Sequence, residues 1–243
     1  MYNKQKKGIS NMERRYSTLL FDADNTLLDF DKDERQALVK VLTEYSVPVN
    51  EENIQIYTKI NKGLWKQFEK GEITKPELKR IRFRLFFERI GFETEADSLE
   101  VNERYLHLLG DGGNLLEGAT DILKKLKDEG YAIYIVTNGV ALTQARRLKK
   151  SGILPFVSEI FVSETIGYQK PRKEFFDCVF ERIEEKDKEK ILLIGDSLTS
   201  DIKGAMNAGI DSVWLNLFSD TIADEYQPNY IIKDLKDIQT ILL

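Results

Sequence analysis

The sequence predicts an α/β protein: a parallel sheet covered by helices on both faces, with a helical insertion after its first strand. Short apolar runs recur at residues 17–21, 131–136, 159–162, 191–194, 213–215 and 230–232. The later runs alternate with helical patterns, which favours parallel strands buried on both faces. The first and second runs are instead separated by a long stretch that reads as several helices and no convincing strand.

The first run ends abruptly in Phe21-Asp22-Ala23-Asp24. Strand side chains alternate between faces, so residues i and i+2 point the same way. Both acids therefore emerge at the carboxyl end of a buried strand, where open α/β sheets bind their ligands. Like charges held that close are mutually costly unless a cation or a shared proton relieves them. Thr26 is read as structural, tying the turn that follows.

Helical stripes come next: Leu38/Val41/Leu42/Tyr45, Tyr57/Ile60/Leu64/Phe68, Leu78/Ile81/Leu85 and Val101/Tyr105/Leu108. An ordinary βαβ crossover needs only about a dozen residues or more. The surplus, residues 31–114, reads as a helical insertion placed over the acids, with Gly110-Asp111-Gly112-Gly113-Asn114 as its return hinge. The second strand runs into Thr137-Asn138-Gly139, a hydroxyl, an amide and an open backbone N–H ahead of a helix, which suits an anion. That helix carries a Leu142/Ala145/Leu148 stripe. After the third strand, Tyr168-Gln169-Lys170-Pro171 sets one lysine in the turn before a Phe176/Val179/Phe180/Ile183 stripe. The fourth strand ends in Gly195-Asp196-Ser197-Leu198-Thr199-Ser200-Asp201, followed by an Ile202/Ala205/Met206 stripe. Lys170 is the positive side chain expected beside these four acids.

Composition narrows the function classes. With 42% hydrophobic and 32% charged residues the chain is globular, and its net charge of −5 argues against a nucleic-acid polymer as partner. The single cysteine, Cys178, excludes an intrachain disulfide, fits a reducing cytoplasm, and reads as a small core residue. Residues 1–15 are basic without an apolar segment, so they are expected to be a disordered tail rather than a signal peptide. Nothing approaches the roughly 18 apolar residues of a membrane span. A cytoplasmic monomer or weak homodimer is expected, with no membrane partner. His107 is the only histidine and sits in an apolar stretch, so it reads as structural, which removes a Ser–His–Asp hydrolase.

Taken in order, Asp22-Ala23-Asp24-Asn25-Thr26, Thr137-Asn138-Gly139, Lys170-Pro171 and Gly195-Asp196-Ser197 through Asp201 resemble the four motifs of the haloacid dehalogenase superfamily, in its phosphatase branch. The resemblance implies a Rossmann-like core, residues 16–30 and 115–243, with a helical cap at 31–114. It implies that Asp22 is the nucleophile, forming an aspartyl-phosphate, and that Asp24 is the acid and base. Lys170 neutralises charge; Thr137, Asn138 and Gly139 hold the phosphoryl group. Asp22, the Asp24 carbonyl and Asp196 bind the metal, with Asp201 behind them as a supporting acid or a helix cap. An all-oxygen set of this kind suits Mg2+.

In the insertion, Asn61-Lys62-Gly63-Leu64-Trp65, Gly71-Glu72-Ile73-Thr74 and Arg82-Phe83 resemble the cap of bacterial house-cleaning pyrimidine 5'-nucleotidases, as Trp214-Leu215-Asn216 resembles their core. That implies a pyrimidine nucleoside 5'-monophosphate as substrate, with Asn61, Lys62 and Trp65 as candidate contacts. The alternatives are a sugar-phosphate or sialic-acid-phosphate phosphatase, a phosphomutase, and a binding module with a vestigial site. The dehalogenase branch itself fits poorly, because its chemistry needs neither an Asp24-type acid nor Mg2+.

Overall fold

The computed structural model describes residues 14–243. The tail expected over residues 1–15 lies outside these, apart from Arg14 and Arg15, which are ion-paired to Glu129 and Asp211 (each 2.7 Å). Six strands form one parallel sheet: β1 (Thr18–Phe21), β2 (Ala132–Thr137), β3 (Glu159–Val162), β4 (Ile191–Gly195), β5 (Asp211–Leu215) and β6 (Tyr230–Ile232), in the order β3-β2-β1-β4-β5-β6. Each coincides with an expected run to within two residues. The sheet is Rossmann-like, and β1 is flanked by β2 and β4, with Phe21 level with Ile135 and Ile194.

Alternation sorts the core into two layers. Leu19 and Phe21 face one way, with Ile133, Ile135, Leu192 and Ile194, onto α5 (Ala119–Asp128) and the C-terminal α10 (Gln239–Leu242). Leu20, Tyr134, Val136 and Leu193 face the other, onto α8 (Lys173–Arg182) and α9 (Lys203–Ala208). α6 (Ala141–Ser151) follows β2, and the short α7 (Ser163–Ile166) follows β3.

Between β1 and α5 stand four helices: α1 (Phe30–Glu44), α2 (Glu51–Glu69), α3 (Lys75–Ile90) and α4 (Ser98–Leu109). They share their own apolar cluster, built on Leu38, Val41, Tyr57, Phe83, Phe86 and Tyr105. Local chemistry sets their ends. Thr74 and Glu77 form a capping box on α3 with Pro76 in its first turn, and Gly91 closes it in a left-handed conformation. The outgoing and returning linkers run side by side, Asp29 N–H donating to Asn114 O (2.9 Å) and Leu116 N–H to Leu27 O (3.0 Å).

Several expected faces are rotated. On α6 the inward residues are Thr143, Gln144, Arg147 and Leu148, whereas Leu142 is 71% exposed. Residues spaced by three drift around a helix of 3.6 residues per turn, so the Leu142/Ala145/Leu148 pattern does not hold one face. α3 buries Arg82, Phe83, Phe86 and Phe87, while Ile81 and Leu85 lie at the margin. Met206 is exposed and Cys178 only half-buried. His107 lies on the surface, its Nδ1 3.0 Å from Arg146 Nη1, and it does not line the cleft of the acids.

Candidate active site

The carboxyl ends of β1, β2 and β4 and the loop after β3 converge on one cleft of about 550 Å³, closed on the far side by α2. The turn after β1 is held by backbone bonds from Leu27 and Leu28 N–H to Ala23 O (3.0 and 2.8 Å). Asn25 takes the left-handed conformation, φ 54°, that its short polar side chain tolerates. Thr26 is buried, but its hydroxyl has no partner among the described residues, so the backbone rather than Thr26 ties the turn.

Lys170 is the hub. It is fully buried, and its Nζ donates to Asp22 Oδ1 (2.6 Å), Asp201 Oδ1 (2.6 Å) and Val136 O (2.8 Å). Burial alone lowers a lysine, but Asp201 and Asp22 outweigh it and hold the ammonium protonated. Asp201 also accepts from Ser197 N–H (3.0 Å), so each of its oxygens already has a donor. Gly195 makes room for this: a Cβ there would collide with the Asp201 carboxyl. Trp214 Nε1–H donates to Asp196 O (2.8 Å), fixing the loop after β4 from the neighbouring strand.

Asp22, Asp196 and Asp201 each present a carboxylate oxygen within 4.8 Å of one another. Burial pushes Asp22 up to about 7, with Asp201 and Asp24 adding to the rise and Lys170 opposing it. Asp196 is pushed well up by burial and then by Asp22 and Asp201. A compact, oxygen-only set whose acids resist ionising together has the chemistry of a hard divalent-cation site, so these residues fit Mg2+.

Asp24 is held from a direction the sequence did not reveal. Arg147, buried on α6, is ion-paired to Asp24 Oδ1, and Gln144 Nε2–H donates to Asp24 Oδ2 (2.8 Å) and to Thr137 Oγ1 (2.9 Å). Lys170 is therefore not the only cation beside the acids. Gly139 packs against Gln144, leaving no space for a side chain. Asn138 faces elsewhere than expected: its amide exchanges bonds of 2.9 Å with the Lys170 backbone in both directions. The side chain thus braces the lysine loop, and the Gly139 N–H, expected to be open, donates to Thr137 Oγ1 (3.1 Å), which leaves the Thr137 hydroxyl as the expected group that can face a phosphoryl oxygen.

Three residues of the insertion border the cleft as expected, with different fates. Asn61 is buried, its amide donating to Glu34 Oε1 (2.6 Å) and its carbonyl accepting from Arg82 (3.0 Å), so it cross-braces the helices. A side chain engaged at both ends is a poor reader of a substrate. Lys62 is open to the cleft, 3.7 Å from Asp31 and 5.9 Å from the Phe218 ring centroid. Trp65 stands edge-on to Phe68, half-buried, with part of the indole on the cleft wall.

Lys75 and Glu69 are among the residues that tie the insertion to the site, and sequence reasoning missed both. Lys75 Nζ donates to Asn138 O (2.8 Å), Gly139 O (3.0 Å) and Ser163 Oγ (3.1 Å). Glu69, at the end of α2, accepts from the Thr199 hydroxyl, and burial pushes its carboxyl up to about 7. Neither residue belongs to an apolar stripe or a strand end, so neither carried a signal.

A family model for haloacid dehalogenase-like hydrolases matches residues 16–209. The chain is 42% identical over 229 residues to the HAD-hydrolase YfnB of Bacillus subtilis (94% of this chain, 96% of the relative). It is 40% identical to the pyrimidine 5'-nucleotidase PynA of Streptococcus pneumoniae over 223 residues (92% and 93%). It is 30% identical to the pyrimidine 5'-nucleotidase YjjG of Escherichia coli over 228 residues (94% and 98%). The crystal structure of magnesium-bound YfnB superposes with a TM-score of 0.89, covering 94% of this chain and 99% of that one. No helix among the described residues is long and apolar enough to cross a membrane. With its strand-end site and these relatives, the chain belongs to the haloacid dehalogenase-like hydrolase family, as an enzyme of the phosphatase branch.

Proposed function

We propose that this phosphatase is Mg2+-dependent, cytoplasmic, and hydrolyses pyrimidine nucleoside 5'-monophosphates through an aspartyl-phosphate on Asp22. The observation that carries the reading is the Lys170 hub, which places a cation against Asp22 at the end of the central strand. Asp22 attacks phosphorus, forming an acyl phosphate, while the ribose 5'-oxygen departs with a proton from Asp24. Asp24, now a carboxylate, takes a proton from water; the water attacks phosphorus, and inorganic phosphate leaves with Asp22 restored. Lys170 opposes the rise that burial gives Asp22, favouring its ionised form, and offsets charge on the phosphoryl group. Mg2+, held by the Asp22 and Asp196 carboxylates and the Asp24 carbonyl, supplies further positive charge to the phosphoryl oxygens. Asp201 orients Lys170, since both of its oxygens are taken.

Residues 31–114 act as the cap. A closed cap limits bulk water around the cleft while admitting the one attacking molecule, and the interdomain movement named for magnesium-bound YfnB supports a cap that moves. The nucleotide preference rests on the PynA and YjjG relatives and on an indole in the cleft wall. Aromatic stacking on a base contributes about 1–3 kcal/mol per base. Trp65 is the stacking residue in this reading, and Lys62 meets a base carbonyl or the phosphate.

Trp65→Ala is therefore expected to raise KM for UMP, dUMP or dTMP by about 5- to 150-fold, as loss of that stacking energy requires. p-Nitrophenyl phosphate, with no base to stack, should change much less. Equal losses on both would assign Trp65 to packing. A panel in which sugar phosphates, sialic-acid phosphate included, exceed every pyrimidine nucleotide in kcat/KM by about tenfold, roughly 1.4 kcal/mol, overturns the substrate assignment and leaves the phosphatase standing.

A further inference from the structure

We infer that Arg147 is a positioning residue that couples the Asp24 carboxylate to the two linkers of the cap. The inference rests on Asp24 being the acid and base of the proposed reaction. Arg147 is 1% exposed, and its planar fork grips two carboxylates at once. Nη1 pairs with Asp24 Oδ1 and donates to Gln144 Oε1 (3.0 Å), while Nε and Nη2 donate to Asp33 Oδ2 (3.1 and 3.0 Å). Gln144 holds the other Asp24 oxygen, so the acid is gripped from both sides by one helix.

Asp33 belongs to α1, and its carboxylate is plugged into the returning linker. It accepts from Gly113 N–H (2.8 Å), Asn114 N–H (3.3 Å) and Asn114 Nδ2–H (2.6 Å). The fit is close: a Cβ at Gly112 would stand 2.5 Å from Asp33 Cγ, and one at Gly113 would stand 2.8 Å from Arg147 O. Asn114 O in turn binds Asp29 N–H on the outgoing linker. Both cap linkers, Asp33, Arg147 and Asp24 thus form one continuous set of contacts. A shift of the linkers moves Asp33, and Asp33 carries the fork that sets where Asp24 stands. Arginine suits this role because its rigid fork spans two carboxylates, which the point charge of a lysine does not.

The test uses the dependence of kcat/KM on the leaving group, because this ratio covers only the steps up to departure of the alcohol. UMP releases a strongly basic alkoxide and needs proton donation; p-nitrophenyl phosphate releases a weak base and needs little. Asp24→Asn serves as the reference, expected to lose about 10²–10⁴-fold on UMP and far less on the aryl ester. Asp33→Asn and Arg147→Lys are expected to follow the same split, about 10–100-fold on UMP and within about threefold on the aryl ester, the scale of a small misplacement of a catalytic group. Asp33→Asn is nearly isosteric and carries the test alone if Arg147→Lys does not fold. Equal losses on the two esters, or no loss, with Asp24→Asn still split, would overturn the coupling and leave Arg147 a packing residue. No split in Asp24→Asn itself would instead remove Asp24 from its role as acid.

Discussion

Asp22→Asn is expected to abolish turnover on UMP and on p-nitrophenyl phosphate alike, while the protein stays folded. The change is nearly isosteric, but a neutral amide cannot form the acyl phosphate that the reaction passes through. The effect should exceed that of losing an acid or base, about 10²–10⁴-fold, because Asp201, the other carboxylate on Lys170, has a donor on each oxygen and does not replace the nucleophile. The good leaving group of the aryl ester gives no relief, since the missing bond is to phosphorus. Asp22 shares its buried cluster with Asp196 and Asp201; burial and then Asp201 push Asp22 up, and burial and then Asp22 and Asp201 push Asp196 up. Removing one charge relieves that repulsion, and Lys170 keeps Asp201 as its partner. The melting temperature should therefore hold or rise, as expected where stability has been exchanged for function. Activity above a trace in the purified variant would rule out the covalent step on Asp22.

Metal removal should have a comparable effect. Five carboxylates, Asp22, Asp24, Asp33, Asp196 and Asp201, surround two cations, Lys170 and Arg147. A phosphate dianion entering such a site without further positive charge meets strong repulsion. Excess EDTA should remove activity and added Mg2+ should restore it; full activity in EDTA after removal of trace metal would defeat the metal assignment. A second readout needs no substrate. In the metal-free protein burial raises Asp22 from 3.8 to about 7, so the folded state binds more protons than the unfolded chain between those values. Its stability from this group is present at low pH and falls as pH rises through about 7. Mg2+ binds only the folded site and favours the ionised acids, so it stabilises by mass action. The rise in melting temperature on adding Mg2+ should accordingly be larger at pH 8 than at pH 5. A shift independent of pH would show that the ion binds away from these acids.

The chemistry at the strand ends was legible because it is local. Asp22, Thr137 and Asp196 each follow an apolar run that ends within a residue or two of the functional group, and the sheet then brings the ends together. What stayed hidden was polar and non-local. Periodicity reports burial of apolar side chains, so it registered Leu142 on α6 and passed over Gln144 and Arg147, which face inward toward partners more than a hundred residues away. The same blindness applies to Asn61, expected as a substrate contact, and Arg82, noted only for the cap resemblance, which form a buried cross-brace. Asn138 sits where expected, but only the loop after β3 shows that its amide faces Lys170. Lys75 and Glu69 were beyond reach for a related reason: each is read correctly only once the helices of the insertion are set down on the core.

The sheet order carries a burden for the chain as it is made. Among the described residues β1 is the first strand to leave the ribosome, yet it lies at the centre of the sheet, and its second neighbour, β4, comes only at Ile191–Gly195. Until then one side of Leu19-Leu20-Phe21, wholly buried in the finished protein, is an apolar strand edge with unpaired backbone groups. Such edges recruit strands from other chains. Helices α1 to α4 have their own apolar cluster, so they can condense early while the central strand waits. Nascent chains that stall before β4 are thus the species most prone to aggregate.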